Sequence, residues 1–225
     1  GTNLAQKMLF AADSTLSVCP DNGGADATCG HERFFKHSNP QRVKEWIRAD
    51  AGARATLRFV FLVRNPFSLL EAIKRHPYGL ATCFRELQWL QRRCACSDIY
   101  IMVCAKGQRE FASPIEIWNA FTQGYVRLAE DLGKERAVLA RYEDLVADPH
   151  RALAEWEVLL ANKLSVKAAV DKMSKSSKGR NGVSRDQAVA KINNRSYLAL
   201  FSEQERSRVC ADLNGKLMKY LGYDG

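Results

Sequence analysis

The period of the apolar positions changes several times along the chain, and the changes mark its elements. Leu57 to Val63 (LRFVFLV) is a continuous apolar run rich in β-branched and aromatic residues, the signature of a strand buried on both faces in a parallel sheet. Asn65 and Pro66 follow as a helix cap and a first helical residue, and Leu69, Leu70 and Ile73 then recur at helical spacing. Ala137 to Tyr142 reads as a second buried strand, and Asp148-Pro149 starts a helix to about Leu160. Between them Pro114 opens a long helix through Leu132, with Ile117, Trp118, Phe121, Tyr125 and Leu128 facing inward and Gly133 ending it. Further helices are predicted from residue 3 (Leu4, Met8, Leu9), from Ser38-Asn39-Pro40 (Val43, Trp46, Ile47) and over Tyr78 to Arg93 (Phe84, Leu87, Leu90). A last one runs from the capping box Ser202 to Glu205 as far as Tyr220. Arg33 to His37 and Ile99 to Val103 are short β-like runs, while residues 13–30 and 173–185 are rich in turn formers. The alternation predicts an α/β fold with a parallel sheet flanked by helices.

Charge and cysteine content narrow the partners. The 225 residues suffice for one domain with a sizeable core, and the net charge is +9. Lys and Arg are dispersed, with no basic block of five or six. That points to a polyanionic small ligand rather than to nucleic acid. No apolar run reaches membrane-spanning length. The seven cysteines are odd in number and form no CxxC pair, which predicts a reduced, cytoplasmic chain. Cys19, Cys29 and His31 match no zinc spacing, so no metal site is expected.

Candidate chemistry gathers where strands give way to helices. Ligands of open α/β sheets bind at the carboxyl ends of strands, and a helix N-terminus there favours anions. Arg64 stands on such a corner, directly after the first buried strand, and suits a phosphate. Gly1-Thr2, just ahead of a predicted helix, is half of a phosphate loop; the strand and basic residue that would complete it lie before Gly1. His37 closes a short strand ahead of a helix start, a place for a general base or for a local backbone cap. Lys178, Gly179 and Gly182 could clamp a second phosphate or belong to a solvated loop.

Together these segments resemble the sulfotransferases that use 3′-phosphoadenosine 5′-phosphosulfate (PAPS), in the family's order and over nearly the whole chain. Gly1-Thr2-Asn3-Leu4 is similar to the tail of the 5′-phosphosulfate loop, and Val63-Arg64-Asn65-Pro66 to the start of the 3′-phosphate motif. Arg141-Tyr142-Glu143-Asp144-Leu145 with Asp148-Pro149 resembles the segment whose tyrosine lies near the adenine. Lys178-Gly179-Arg180-Asn181-Gly182 through Arg185 resembles the C-terminal KGxxGxxK clamp. Three departures stand out. The loop lysine would precede Gly1. The serine usual eight residues after the motif arginine is Ala72, with Ser68 one helical turn earlier on the same face. The clamp carries Ser177 and Arg185 where the family has arginine and lysine.

The resemblance implies a single sulfotransferase domain over residues 1–225, lacking its first strand and the start of its phosphate loop. The implied fold is a three-layer, P-loop-like parallel sheet. It implies sulfuryl transfer from PAPS, with PAP as product, to a hydroxyl or amine of a small-molecule acceptor. Gly1, Thr2, Asn3, Leu4, Arg64, Ser68, Tyr142, Lys178, Gly179 and Arg180 would hold the nucleotide. His37, with Lys36 beside it, would be the base; in the carbohydrate and protein-tyrosine branches of the Golgi lumen a glutamate serves, which makes Glu32 the rival. A P-loop kinase, disfavoured by the absence of a GK[ST] loop, and a non-catalytic nucleotide-binding module are the competing classes.

Overall fold

The structure is a computed structural model. It describes residues 5, 8–9, 39–49, 58–75, 77, 80–84, 88–97, 104–161, 164–165, 167–168 and 184–223. The chain mixes strands with a majority of helix and divides by its contacts into two compact units. One unit comprises residues 1–36, 46–63 and 128–194; the other comprises 37–45, 64–127 and 195–225.

The first unit contains the parallel pair expected from the two apolar runs. Strand β1 (Phe59–Val63) pairs in parallel with a later strand, Ala137–Arg141, from Phe59 opposite Ala137 to Val63 opposite Arg141. Phe61 and Val63 are buried, while Val60 and Leu62 lean on a core of Met8, Ala140, Leu145, Leu153 and Trp156. Both faces of β1 are therefore covered, one less completely than a continuous apolar run suggests. Trp156 and Leu153 lie on the helix Pro149–Leu160, which begins as the sequence indicates: Asp148 accepts from Arg151 N (3.1 Å), and Pro149 needs no partner for its missing N–H. Ala5, Met8 and Leu9 are helical, in line with the helix expected near the start.

The second unit packs Phe67, Leu70, Phe84, Trp89, Phe111, Ile115, Phe201 and Val209 into one core. Its part of the helix from Pro114 approaches the helix from Pro40 closely at Gly124, where a Cβ would lie 2.5 Å from Pro40 Cβ. Only glycine fits there without displacing a proline ring.

Three expectations are corrected in this unit. The single helix over Tyr78 to Arg93 is instead a short helix Ala81–Phe84, a 3₁₀ turn Trp89–Gln91 and a two-residue strand β2, Cys94–Ala95. Gln88 takes a left-handed conformation (φ 59°) that turns the chain back, and β2 pairs antiparallel with β3, Glu110–Phe111. The thiols expected to be reduced are paired, Cys83 with Cys94 and Cys96 with Cys104, across 11 and 8 residues of chain. Spacing hides these pairs because each closes only when the chain folds back on itself. Third, the last helix is two, Glu203–Asp212 and Gly215–Tyr220. Asn119 holds the break open by donating to Asp212 O (2.9 Å) and accepting from Asn214 N (3.0 Å), and Asn214 then caps the second helix.

Among the described residues no helix is long and apolar enough to cross a membrane.

Candidate functional site

In the second unit the corner after β1 is built by its own sequence. Asn65 Oδ1 accepts from Ser68 N (3.3 Å), Asn65 O accepts from Leu69 N (2.8 Å), and Pro66 takes the first helical position of Pro66–Arg75. No acid occupies that helix's first turn, so its positive end is left uncompensated by side chains of its own. Arg64 sits just before it. Its Nε donates to Ser68 Oγ (2.8 Å), and its carbonyl accepts from Trp118 Nε1 (2.8 Å). Ser68 is 2% exposed, so its hydroxyl is a fixed post rather than a mobile one. The structure thus brings together the arginine and the serine that the sequence singled out. It also adds Trp118, whose indole pins the backbone and which sequence reasoning took for core alone. Ala72 is half-buried one turn further on, beside a buried Glu71 that pairs with Arg75. A guanidinium held by a buried hydroxyl at an acid-free helix start is a donor set suited to a phosphate.

In the first unit the strand Ala137–Arg141, β4, runs directly into the helix Tyr142–Ala147. Tyr142 is half-buried at its first position. Glu143 and Asp144 occupy that first turn, and Arg141 Nε lies 3.1 Å from Asp144 Oδ2 without the alignment of a hydrogen bond. Arg185, the last basic residue of the clamp-like segment, donates to Val146 O (3.1 Å) and Ala147 O (2.7 Å). It satisfies carbonyls at that helix's C-terminus, a placement that also suits the helix dipole. Ser184 opens the next helix, Arg185–Asn193, with a reciprocal capping box to Gln187. The Ser-x-x-Gln spacing carries that signal in the sequence, although the segment reads there as the end of a polar loop.

The remaining sequence candidates lie outside the described residues: Gly1, Thr2, Asn3 and Leu4 of the loop, Glu32, Lys36 and His37 of the base region, and Lys178, Gly179 and Arg180 of the clamp. Ile99 to Val103 and the Cys19, Cys29 and His31 group lie there too. Of the described phenols, Tyr125 has its hydroxyl pushed above the ordinary tyrosine range by burial. No family model, curated protein or solved structure matches the chain.

Proposed function

We propose that the chain transfers a sulfuryl group from PAPS to a hydroxyl or amine acceptor. The observation that carries this reading is the Arg64 corner: a strand-end arginine braced by buried Ser68 at an acid-free helix start. It is supported by the order of four segments along the chain and by the parallel pairing of β1 with β4. Under this reading that pair would belong to a three-layer, P-loop-like sheet.

PAPS would supply the activated sulfuryl group. Arg64 would grip the 3′-phosphate, with Ser68 fixing the guanidinium so that little rotamer freedom is lost on binding. Tyr142 would flank the adenine. Gly1, Thr2, Asn3 and Leu4 would meet the 5′-phosphosulfate through backbone N–H groups, and Lys178, Gly179 and Arg180 would close over the phosphates. His37, or Glu32 if the chain follows the lumenal branch, would take the acceptor proton as the acceptor attacks in line with the departing phosphate, catalysis coming from positioning and electrostatics. Replacing His37 by Ala and Glu32 by Gln in parallel distinguishes the two bases.

The cysteine pairs favour the lumenal branch over a cytoplasmic one, because disulfides persist in oxidising compartments. The first test is a thermal-shift series with PAP, PAPS, ATP and GTP. Stabilisation by PAP and PAPS alone is the expected result, since a ligand of the native state raises the melting temperature by mass action. Equal stabilisation by all four, or by ATP or GTP alone, rejects the reading in favour of a kinase or a general nucleotide binder.

A further inference from the structure

The sequence contains one Asn-x-Ser/Thr triplet, Asn194-Arg195-Ser196, with no proline at its centre. Every other asparagine lacks a hydroxyl residue two positions on. The triplet occupies a turn. Asn194 is the C-cap of the helix Arg185–Asn193, its N–H donating to Ala190 O (2.9 Å). Arg195 takes a left-handed conformation (φ 49°), which the helix cannot continue through. Ser196 then opens the 3₁₀ turn Ser196–Leu200, where Leu198 N donates to Arg195 O (2.9 Å). Tyr197, the next residue, is buried with Phe67, Leu70 and Phe201. The backbone of the turn is therefore set by its own bonds and by that anchor. Asn194, Arg195 and Ser196 are nevertheless all exposed.

The state of its amide separates Asn194 from asparagines the fold uses. Asn39 is buried, with its Oδ1 accepting from Gln41 N (2.9 Å). Asn65 and Asn214 cap helices, and Asn119 bridges Asp212 O and Asn214 N. A bulky substituent on any of these would disturb a cap, a bridge or the packing around it. Among the described residues the Asn194 side chain has no hydrogen bond to lose. An independent observation comes from the cysteines. The bonds Cys83–Cys94 and Cys96–Cys104 belong to an oxidising compartment. The lumen of the secretory pathway is one, and sugar is attached there to Asn-x-Ser/Thr acceptors on surface loops. Disulfides and triplet share no residue, yet they point to the same compartment.

We propose that Asn194 is an N-glycosylation site. The co-reactant is an oligosaccharide carried on a polyprenyl pyrophosphate. The Asn194 Nδ2 attacks the anomeric carbon of its first sugar. A nitrogen–carbon bond forms, and the bond from that carbon to the pyrophosphate oxygen breaks. The lipid pyrophosphate leaves with the bonding pair, and the amide nitrogen gives up one proton to solvent; nothing is oxidised or reduced. Ser196 supplies the hydroxyl by which the acceptor is recognised. The glycan projects from the exposed turn and replaces no contact of the fold. This assignment does not rest on the sulfuryl-transfer reading.

The test passes the full chain, behind a cleavable secretory leader, through a eukaryotic secretory host cell. Gel mobility is read with and without peptide N-glycosidase, and the peptide holding Asn194 is analysed by mass. The parent should show a single mobility step that the glycosidase removes, and the treated peptide should carry a deamidated Asn194. Asn194→Gln and Ser196→Ala should each abolish the step. Ser196→Thr should keep it, since threonine also presents the hydroxyl. Asn193→Gln, an exposed neighbour outside the triplet, should leave it unchanged. Thiol titration and a melting curve establish that each recovered protein is folded with its disulfides formed. Where a substituted chain is not recovered, the parent's peptide decides alone, because it locates the sugar without any substitution. A parent recovered with its disulfides formed and no sugar on Asn194 overturns the proposal. So does a step that survives both Asn194→Gln and Ser196→Ala, because the modified residue would then be another.

Discussion

Two junctions of strand and helix follow the paired strands β1 and β4, and the chain resolves them in opposite ways. After β1 an arginine, an asparagine cap and a proline lead into a helix whose first turn holds no acid. After β4 the helix starts at once, without a side-chain cap, and Glu143 and Asp144 fill its first turn. Each junction has a strand-end arginine. Arg64 donates to the Ser68 hydroxyl, whereas Arg141 lies against Asp144. The two corners therefore differ in their first helical turns: acids placed there already satisfy the helix dipole after β4, and none does so after β1. Under the sulfuryl-transfer reading the second corner would offer the Tyr142 ring to the adenine.

The sharpest way to break that comparison is to remove each arginine. Arg64→Ala should weaken PAP binding by about 1.5–3 kcal/mol, the scale of hydrogen bonds to charged groups. Calorimetry should detect little change for Arg141→Ala, which lies against Asp144. Adenosine 5′-phosphosulfate, without a 3′-phosphate, should bind the Arg64 variant nearly as well as the parent. Similar losses of PAP binding at both arginines would erase the distinction between the corners.

Next in size is a change behind the first corner. Trp118, which fixes the Arg64 carbonyl, lies on the long helix that meets Pro40 at Gly124. Gly124→Ala forces a methyl group into the proline ring and should cost about 1–3 kcal/mol, the usual cost of overpacking. Denaturant unfolding measures it. A neutral substitution would mean that the Pro40 helix moves aside readily and gives the corner no firm backing.

Much of this was legible because it is local. Asn65, Pro66, Asp148, Pro149 and the Ser202 box declare their helix ends within four residues, and the apolar runs before Arg64 and Tyr142 declare their strands. The hairpin Cys94 to Phe111 was not legible. Its strands are two residues long, with no room for a period, and its partners meet only through a turn fixed by Gln88 and Gln108. The same holds for the split of the last helix, which depends on Asn119, some 95 residues before Asn214. At the candidate site the sequence marked Arg64 and Ser68. It could not show their hydrogen bond or the role of Trp118, because both depend on packing. The base region and the clamp remain expectations from the sequence.

A smaller effect separates the corners by their caps. Asn65→Ala removes the side-chain acceptor for Ser68 N and should cost about 1 kcal/mol of stability. Because the Ser68 hydroxyl braces Arg64, it should also weaken PAP binding slightly. At the other corner Arg141 provides no side-chain cap, so Arg141→Ala should not carry that penalty. If thermal unfolding shows equal costs, capping is not what distinguishes the two turns.

The smallest effect lies at the far end of the Arg64 helix and tests whether stability there is independent of the site. Lys74, on its last turn, approaches Glu205 (4.0 Å) and stands over the Trp89 ring (4.6 Å to the centroid). Burial pushes the Glu205 carboxyl up. Acting against it, the Ser202 backbone N–H, the Trp89 indole (3.1 Å), the Ser202 hydroxyl and Lys74 together hold it below its ordinary value of 4.5. A carboxylate depressed in the folded state contributes stability that is fully present above its unfolded pKa and is lost as pH falls through the folded one. Glu205→Gln removes the charge and one of the two acceptor oxygens; its remaining oxygen can keep the capping box with Ser202 N, and the Trp89 indole then loses its acceptor. The parent should therefore be more stable than the variant near pH 7, by under about 1 kcal/mol for so exposed a group. The two should converge as pH drops below about 4.5, once the carboxyl takes up its proton. PAP binding should be the same in both at pH 7. A gap that persists at pH 3 would assign the effect to the lost Trp89 hydrogen bond rather than to charge. A loss of PAP binding would tie this end of the helix to the Arg64 corner and remove the independence of stability and site.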